Sequence, residues 1–363
     1  MRKIRAFEYE WLMARQSTKR SKDRRATATP QSDLFLLDSP LQGEIRGERS
    51  LMAFPFFALA KTAWMKPLTY KTDQVSIEVR PSASGVATIY DKEIVLYIAS
   101  LMAAKLELGE TVDQDFIFTA HDLFTVTGSN HSARSYARLS EALERLQGTQ
   151  IKTNIEAGGE GEEGFFSWLS EAKLHYSRSR SGERRLKAVK VRLCDWLFRA
   201  ILLDRHVLDY AAAYFQLGPI ERRIYEVARS TDEGEGLDLD IATFRLQIGY
   251  QNPIANFRAA LKQIAGSDAI PDYRIELVET LDEHEGRRRG RKANPVRVAI
   301  TRRPAICDEE ANPDSSQDAL GDSQTKPDCE LMLESGADVT EEETIVVDRA
   351  YSIARTFGPI HTR

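Results

Sequence analysis

Arginine recurs at positions 134, 138 and 145 in a segment that also carries Tyr136, Leu139, Leu143 and Leu146. The four apolar residues repeat at spacings of three and four, which on a helix makes one buried stripe. Arg134, Arg138, Glu141 and Arg145 repeat the same spacing on another face. A guanidinium row can bind phosphates and can pair in bidentate fashion with the acceptor edge of a guanine. Asn130 and Ser135 add short polar groups where the helix begins. A solvated helix face is the competing reading, and this segment alone does not choose between them.

A second concentration of cations lies at Gly286-Arg-Arg-Arg-Gly-Arg-Lys292, so that Arg287, Arg288, Arg289, Arg291 and Lys292 stand together between strand-like runs at 274–280 and 295–301. A glycine-flanked cationic hairpin tip suits phosphates or a minor groove. Arg178 and Arg180, with Arg184 and Arg185, make a similar basic turn between strands at 165–176 and 186–193. The preceding turn carries Glu160, Glu162 and Glu163, which phosphates would repel. A solubilising loop is the bland alternative for each basic turn.

Catalytic chemistry finds no comparable grouping. There is no G-x-x-x-x-G-K-[ST] phosphate loop. His121, His131, His175, His206, His284 and His361 are scattered, without H-x-H or H-E-x-x-H, so the metal site of a rolling-circle nicking enzyme is not expected. Cys194, Cys307 and Cys329 show no C-x-x-C spacing and are expected as reduced thiols in a cytoplasm. No catalysis, cofactor or metal is expected.

The elements that would position these residues repeat in order. Ile89–Leu108 reads as a helix apolar on most sides, hence a core helix. A short helix from Phe116, a turn at Gly128, the arginine-bearing helix 132–146 and a strand at 149–155 follow. That order is a helix-turn-helix with a strand, as opens a winged helix. The second round has a helix over 210–229, a short helix over 239–248 ending at Gly249, and a helix capped by Asn252 with Pro253 in its first turn. On that last helix Phe257, Ala260, Leu261 and Ile264 form the buried stripe, and Asn256, Arg258 and Lys262 lie off it. Leu68–Arg80 reads as one strand of a lead-in layer, for which a homodimer surface is the alternative use.

Composition sets the outer organisation. Thirteen acidic residues against Lys326 give the segment 308–343 a charge of −12, so the rest of a chain of net charge −5 carries +7. The expected fold class is α+β, two tandem winged-helix domains between a basic N-terminal and an acidic C-terminal tail. The boundaries are a basic arm over 1–30, a lead-in layer with the first winged helix over 31–200, and a second winged helix over 201–303. An acidic linker follows over 304–339, then a short amphipathic helix over 340–363 with Val346, Ala350, Ile353 and Phe357 on one face. No apolar run is long enough to span a bilayer.

Several stretches together resemble the replication initiator protein A family of bacterial plasmids. They are Ser-Asp-Leu-Phe at 32–35, Tyr136-Ala-Arg-Leu-Ser-Glu-Ala-Leu-Glu-Arg-Leu, Gly148-Thr-Gln-Ile-Lys-Thr-Asn-Ile, Tyr214-Phe-Gln-Leu, Glu221-Arg-Arg-Ile-Tyr-Glu-Val-Ala-Arg and Asn256-Phe-Arg-Ala-Ala-Leu. The resemblance covers about 32–303 and implies an initiator that binds repeated double-stranded sites at a plasmid origin, opens the adjacent AT-rich DNA and recruits host replication proteins. By position it puts Arg134 and Arg138 on a first recognition helix and Arg258 and Lys262 on a second. The arginines of Glu221-Arg-Arg are read instead as ion-pair partners of nearby acids. A winged-helix repressor of transcription is the alternative from another class. The acidic C-terminus matches no motif of the family.

Overall fold

The computed structural model describes residues 37–159, 161, 164–178, 180, 182–231, 236–279 and 296–304. The expected basic arm, the acidic linker, the terminal helix and the cluster Arg287–Lys292 lie outside the described residues.

The chain enters through β1 (Arg46–Glu48) and the short helix α1 (Arg49–Ala53), whose first turn is capped by the Glu48 carboxylate accepting from the Ser50 and Leu51 N–H groups. Strands β2 (Leu68–Lys71) and β3 (Ser76–Arg80) form an antiparallel hairpin, so the single strand expected over 68–80 is two. Thr72 makes the break, because its hydroxyl accepts from Val75 N–H and closes a local turn.

Helix α2 (Lys92–Glu107) is the first core's axis, with Ile94, Val95, Tyr97, Ile98, Leu101 and Met102 all buried. After it come β4 (Asp115–Phe118), α3 (Ala120–Thr127), α4 (Ala133–Gly148), β5 (Gln150–Thr153), β6 (Leu169–Arg178) and β7 (Arg184–Leu193). Two three-stranded antiparallel sheets result, in the orders β2-β3-β5 and β4-β7-β6. Phe56, Phe57, Phe166, Trp168 and Trp196 fill the space between them as an aromatic cluster, with Phe57 stacked on Trp168 at 4.9 Å.

Helix α5 (Asp195–Arg199) runs into a π-turn, and β8 (Val207–Asp209) then pairs with β1. The helix expected over 210–229 begins only at α6 (Pro219–Thr231), preceded by a 3₁₀ turn at Ala212–Gln216. The Gly218-Pro219 step explains the interruption: proline serves as the first helical residue but cannot continue a helix from before it. Likewise β9 (Leu237–Asp240) takes residues expected to start a helix, and Asp240 caps α7 (Ile241–Ile248). Helix α8 (Ile254–Ser267) has Pro253 at its cap position and no side-chain cap, so Asn252 does not do what its residue type suggested. Strands β10 (Tyr273–Glu279) and β11 (Val296–Arg302) complete a sheet in the order β10-β11-β9.

The second core gathers Tyr214, Ile224, Tyr225, Phe244, Phe257, Leu261 and Val298, and it also takes in Met52 and Leu96 from the first half of the chain. At this junction sits a cluster of charges with almost no solvent access. Lys92 is 1% exposed, Glu226 1%, and Arg222 and Arg223 2% each. Lys92 Nζ donates to Glu226 Oε1 at 2.6 Å and to the Leu51 carbonyl at 2.9 Å. The Tyr214 hydroxyl donates to the same carboxylate at 2.6 Å, and the Tyr210 hydroxyl lies 3.3 Å from it. Arg223 meets the other oxygen at 3.3 Å and donates to the carbonyls of Met52, Ala53 and Gln247. Burial pushes the Lys92 ammonium down to about 8, against the pull of Glu226, which leaves it protonated at neutral pH. Arg222 is paired with Glu93 at 2.7 Å and lies over the rings of Tyr90 and Tyr214. The ion-pair role read from the sequence for the Glu221-Arg-Arg arginines is the one they have.

Removing one partner of such a cluster leaves buried charges uncompensated. Glu226→Gln is expected to cost roughly 3–5 kcal/mol of folding stability in urea denaturation. A loss below about 1 kcal/mol, the size of an exposed pair, would contradict this account of the junction.

Candidate nucleic-acid interface

Helix α3 starts at Thr119, whose hydroxyl accepts from Asp122 N–H, and stops at Gly128, which sits at φ 68° in the left-handed region. Glycine adopts that conformation without a Cβ penalty, so the chain reverses there and Ser132 can cap α4. On α4 the expected stripe is buried: Leu139, Leu143 and Leu146, joined by Ala142. Tyr136 is half-buried and meets Phe124 of α3 edge-on at 5.1 Å. The two helices are thereby held as a unit with one face of α4 turned outward.

The sequence-derived residues divide on that face. Asn130, Arg134 and Arg138 are exposed, and the two arginines make no ion pair among the described residues. Ser135 is half-buried and occupied in the cap, its N–H donating to the Ser132 hydroxyl and its own hydroxyl 3.1 Å from it. Arg145 is a correction. Its Nε and Nη2 donate to the two oxygens of buried Asp91 at 2.8 Å each, and its side chain is 13% exposed. Asp91 also accepts from Thr88 N–H, so Arg145 ties the end of α4 to the start of α2. Helical spacing aligned Arg145 with Arg138, but Asp91, at the cap position of α2, takes the Arg145 guanidinium.

Beside α4, β6 and β7 extend as a long hairpin, with Arg178 facing Arg184 across the register. Arg178, Arg180, Arg184, Arg185 and Lys187 are all exposed. The Arg184 guanidinium lies 4.2 Å from the centre of the Tyr176 ring, which keeps it pinned to the arm.

In the second half, Asn256 is exposed on the first turn of α8. Arg258 and Lys262 lie one turn apart on that helix, and both reach Glu279 at the end of β10, at 2.6 Å and 3.5 Å. These two cations hold the Glu279 carboxyl below its usual range. The sequence reading missed Glu279, because nothing in spacing joins the end of a strand to the helix before it. His121 and His131 stack at 4.4 Å by the turn, and no group of three metal-ligating side chains occurs among the described residues.

Two arginines of the same helix should therefore behave differently. Arg145→Ala, which strands the buried Asp91 carboxylate, is expected to cost about 2 kcal/mol or more of stability. Arg138→Ala should stay within about 0.5 kcal/mol of wild type, as exposed positions do. Equal melting behaviour of the two variants would return Arg145 to the surface group.

The profile of the replication initiator protein A family matches residues 46–275. A protein of Wigglesworthia glossinidia brevipalpis whose name assigns it to replication is 30% identical over 255 residues, covering 67% of this chain and 88% of that one. Among solved structures, domains 2 and 3 of RctB overlay with a TM-score of 0.50 at 11% identity, covering 70% of this chain and 98% of theirs. The Pi initiator protein, solved in complex with iteron DNA, overlays more loosely, with a TM-score of 0.39 at 13% identity, over 60% of this chain and 92% of its own. The chain belongs to the replication initiator protein A family, and it is a replication initiator.

Proposed function

We propose that this initiator binds repeated duplex sites at a plasmid origin through two winged-helix units, with α4 and α8 as the recognition helices. The observation that carries the reading is α4 itself. A glycine-turned helix buries Leu139, Ala142, Leu143 and Leu146, while Arg134 and Arg138 stand exposed and unpaired among the described residues on its outer face. A helix of about 10–12 Å diameter fits the B-form major groove, where guanidinium groups can reach guanine acceptors. The hairpin of β6 and β7, with Arg178 and Arg180 at its tip, would follow the flanking phosphates as the first wing. Arg287, Arg288, Arg289, Arg291 and Lys292 would do so as the second. Asn130 and Asn256 would add hydrogen bonds at the entry of each helix. Opening of AT-rich DNA beside the repeats, and recruitment of host replication proteins, complete the proposal.

Equilibrium binding to a selected origin repeat and to a scrambled duplex tests the assignment. Arg134→Ala or Arg138→Ala should cost roughly 1–3 kcal/mol on the repeat and much less on the scrambled duplex. Equal losses on both would make them phosphate-binding groups. Replacing the five cations of 287–292 by Ala should weaken both duplexes alike. The slope of log K against log salt should then flatten by about 0.9 for each phosphate that is no longer neutralised. An unchanged slope would take that segment out of the interface.

A further inference from the structure

We infer that Glu279 is a specificity-determining positioning residue. It holds Arg258 in a base-reading pose and discourages α8 from binding DNA of any sequence. The inference rests on the proposed reading of α8 as a recognition helix.

A carboxylate beside two cations on a surface meant for a polyanion requires a reason. Stability does not supply one. Arg258 is 31% exposed, Lys262 57% and Glu279 46%, and pairs so accessible to water contribute little to folding. For phosphate binding the carboxylate is a disadvantage, since it repels the backbone and neutralises part of the charge of Arg258 and Lys262. Its position instead suits orientation. Glu279 ends β10, which packs on α8, so the carboxylate is carried on a strand rather than on a loop. The contact uses Nη2 of Arg258, and the other two guanidinium nitrogens also carry N–H groups that can address a base. An arginine held at one nitrogen of its planar guanidinium loses less conformational freedom on meeting a guanine than a free one does. The same negative charge penalises every non-cognate register, in which the guanidinium gains no base contact to offset it. Discrimination is a difference of two affinities, and Glu279 acts on both.

The exposed arginines of α4 have no such partner among the described residues, so the two helices differ in kind. By this account α8 carries an acidic device for discrimination that α4 lacks among the described residues.

The full-length protein would be titrated with two duplexes, the site it selects from a random-sequence pool and a scrambled duplex of the same length. Glu279→Gln, Glu279→Asp and Arg258→Ala are compared with wild type, and their melting temperatures are recorded. The inference expects Glu279→Gln to lower the ratio of selected to scrambled affinity by about five-fold or more, the lower end of what one bidentate base contact discriminates. Affinity for scrambled DNA should rise. Glu279→Asp keeps the charge but withdraws it by one methylene, and it should lower the ratio as well. A ratio unchanged in Glu279→Gln overturns the inference, leaving Glu279 a counter-charge only, and so does wild-type behaviour of Glu279→Asp. If Arg258→Ala weakens the two duplexes equally, the reading of α8 as a recognition helix fails instead, and the inference falls with it.

Discussion

One carboxylate, Glu226, carries the junction between the two halves of this protein. It is almost wholly removed from water and receives hydrogen bonds or ion contacts from Lys92, Arg223, Tyr210 and Tyr214. Lys92 belongs to the core helix of the first half, and the other groups belong to the second. Lys92, through Glu226, and Arg223, through the Met52 and Ala53 carbonyls, bridge the halves, so loss of one partner would leave a buried charge uncompensated. Pairing of β1 with β8 and the insertion of Met52 and Leu96 into the second core act in the same sense. Helices α4 and α8 are thus carried by two halves that share one buried junction.

The arginines of the chain divide by what lies beneath them. Arg145, Arg222 and Arg223 are largely or wholly buried and are consumed by Asp91, Glu93 and Glu226. Arg134 and Arg138 are exposed, with no ion pair among the described residues. Arg258 is intermediate, held by an acid that is itself exposed. A tally of basic residues along the helices would merge these groups, although what surrounds each guanidinium differs.

Much of this arrangement was legible in the sequence where one helix or turn contains its own signal. The stripe of Leu139, Leu143 and Leu146, the Gly128 turn and the mostly apolar α2 follow from periodicity and from glycine's freedom at positive φ. The ion-pair role of the Glu221-Arg-Arg arginines was legible in part, since their helix offers Glu226 to Arg223, whereas the Glu93 that takes Arg222 lies on α2. Failures came where distant segments decide. Arg145 looked like Arg138 because spacing on α4 carries no information about α2. Leu239 and Asp240, expected to open a helix, pair instead with Val298 and Arg297 of β11 far along the chain. Glu279 was invisible for the same reason: its partners sit on another element, and a single acid at a strand end has no pattern.

The most direct test of the account places a short origin fragment, without any replication gene, on a selectable circle and introduces it into cells with and without this chain supplied in trans. The account predicts stable transformants only when the chain is present. It further predicts that Arg134→Ala combined with Arg138→Ala abolishes them while the protein remains folded. Transformants that arise without the chain, or that persist at wild-type frequency with the folded double variant, would contradict it.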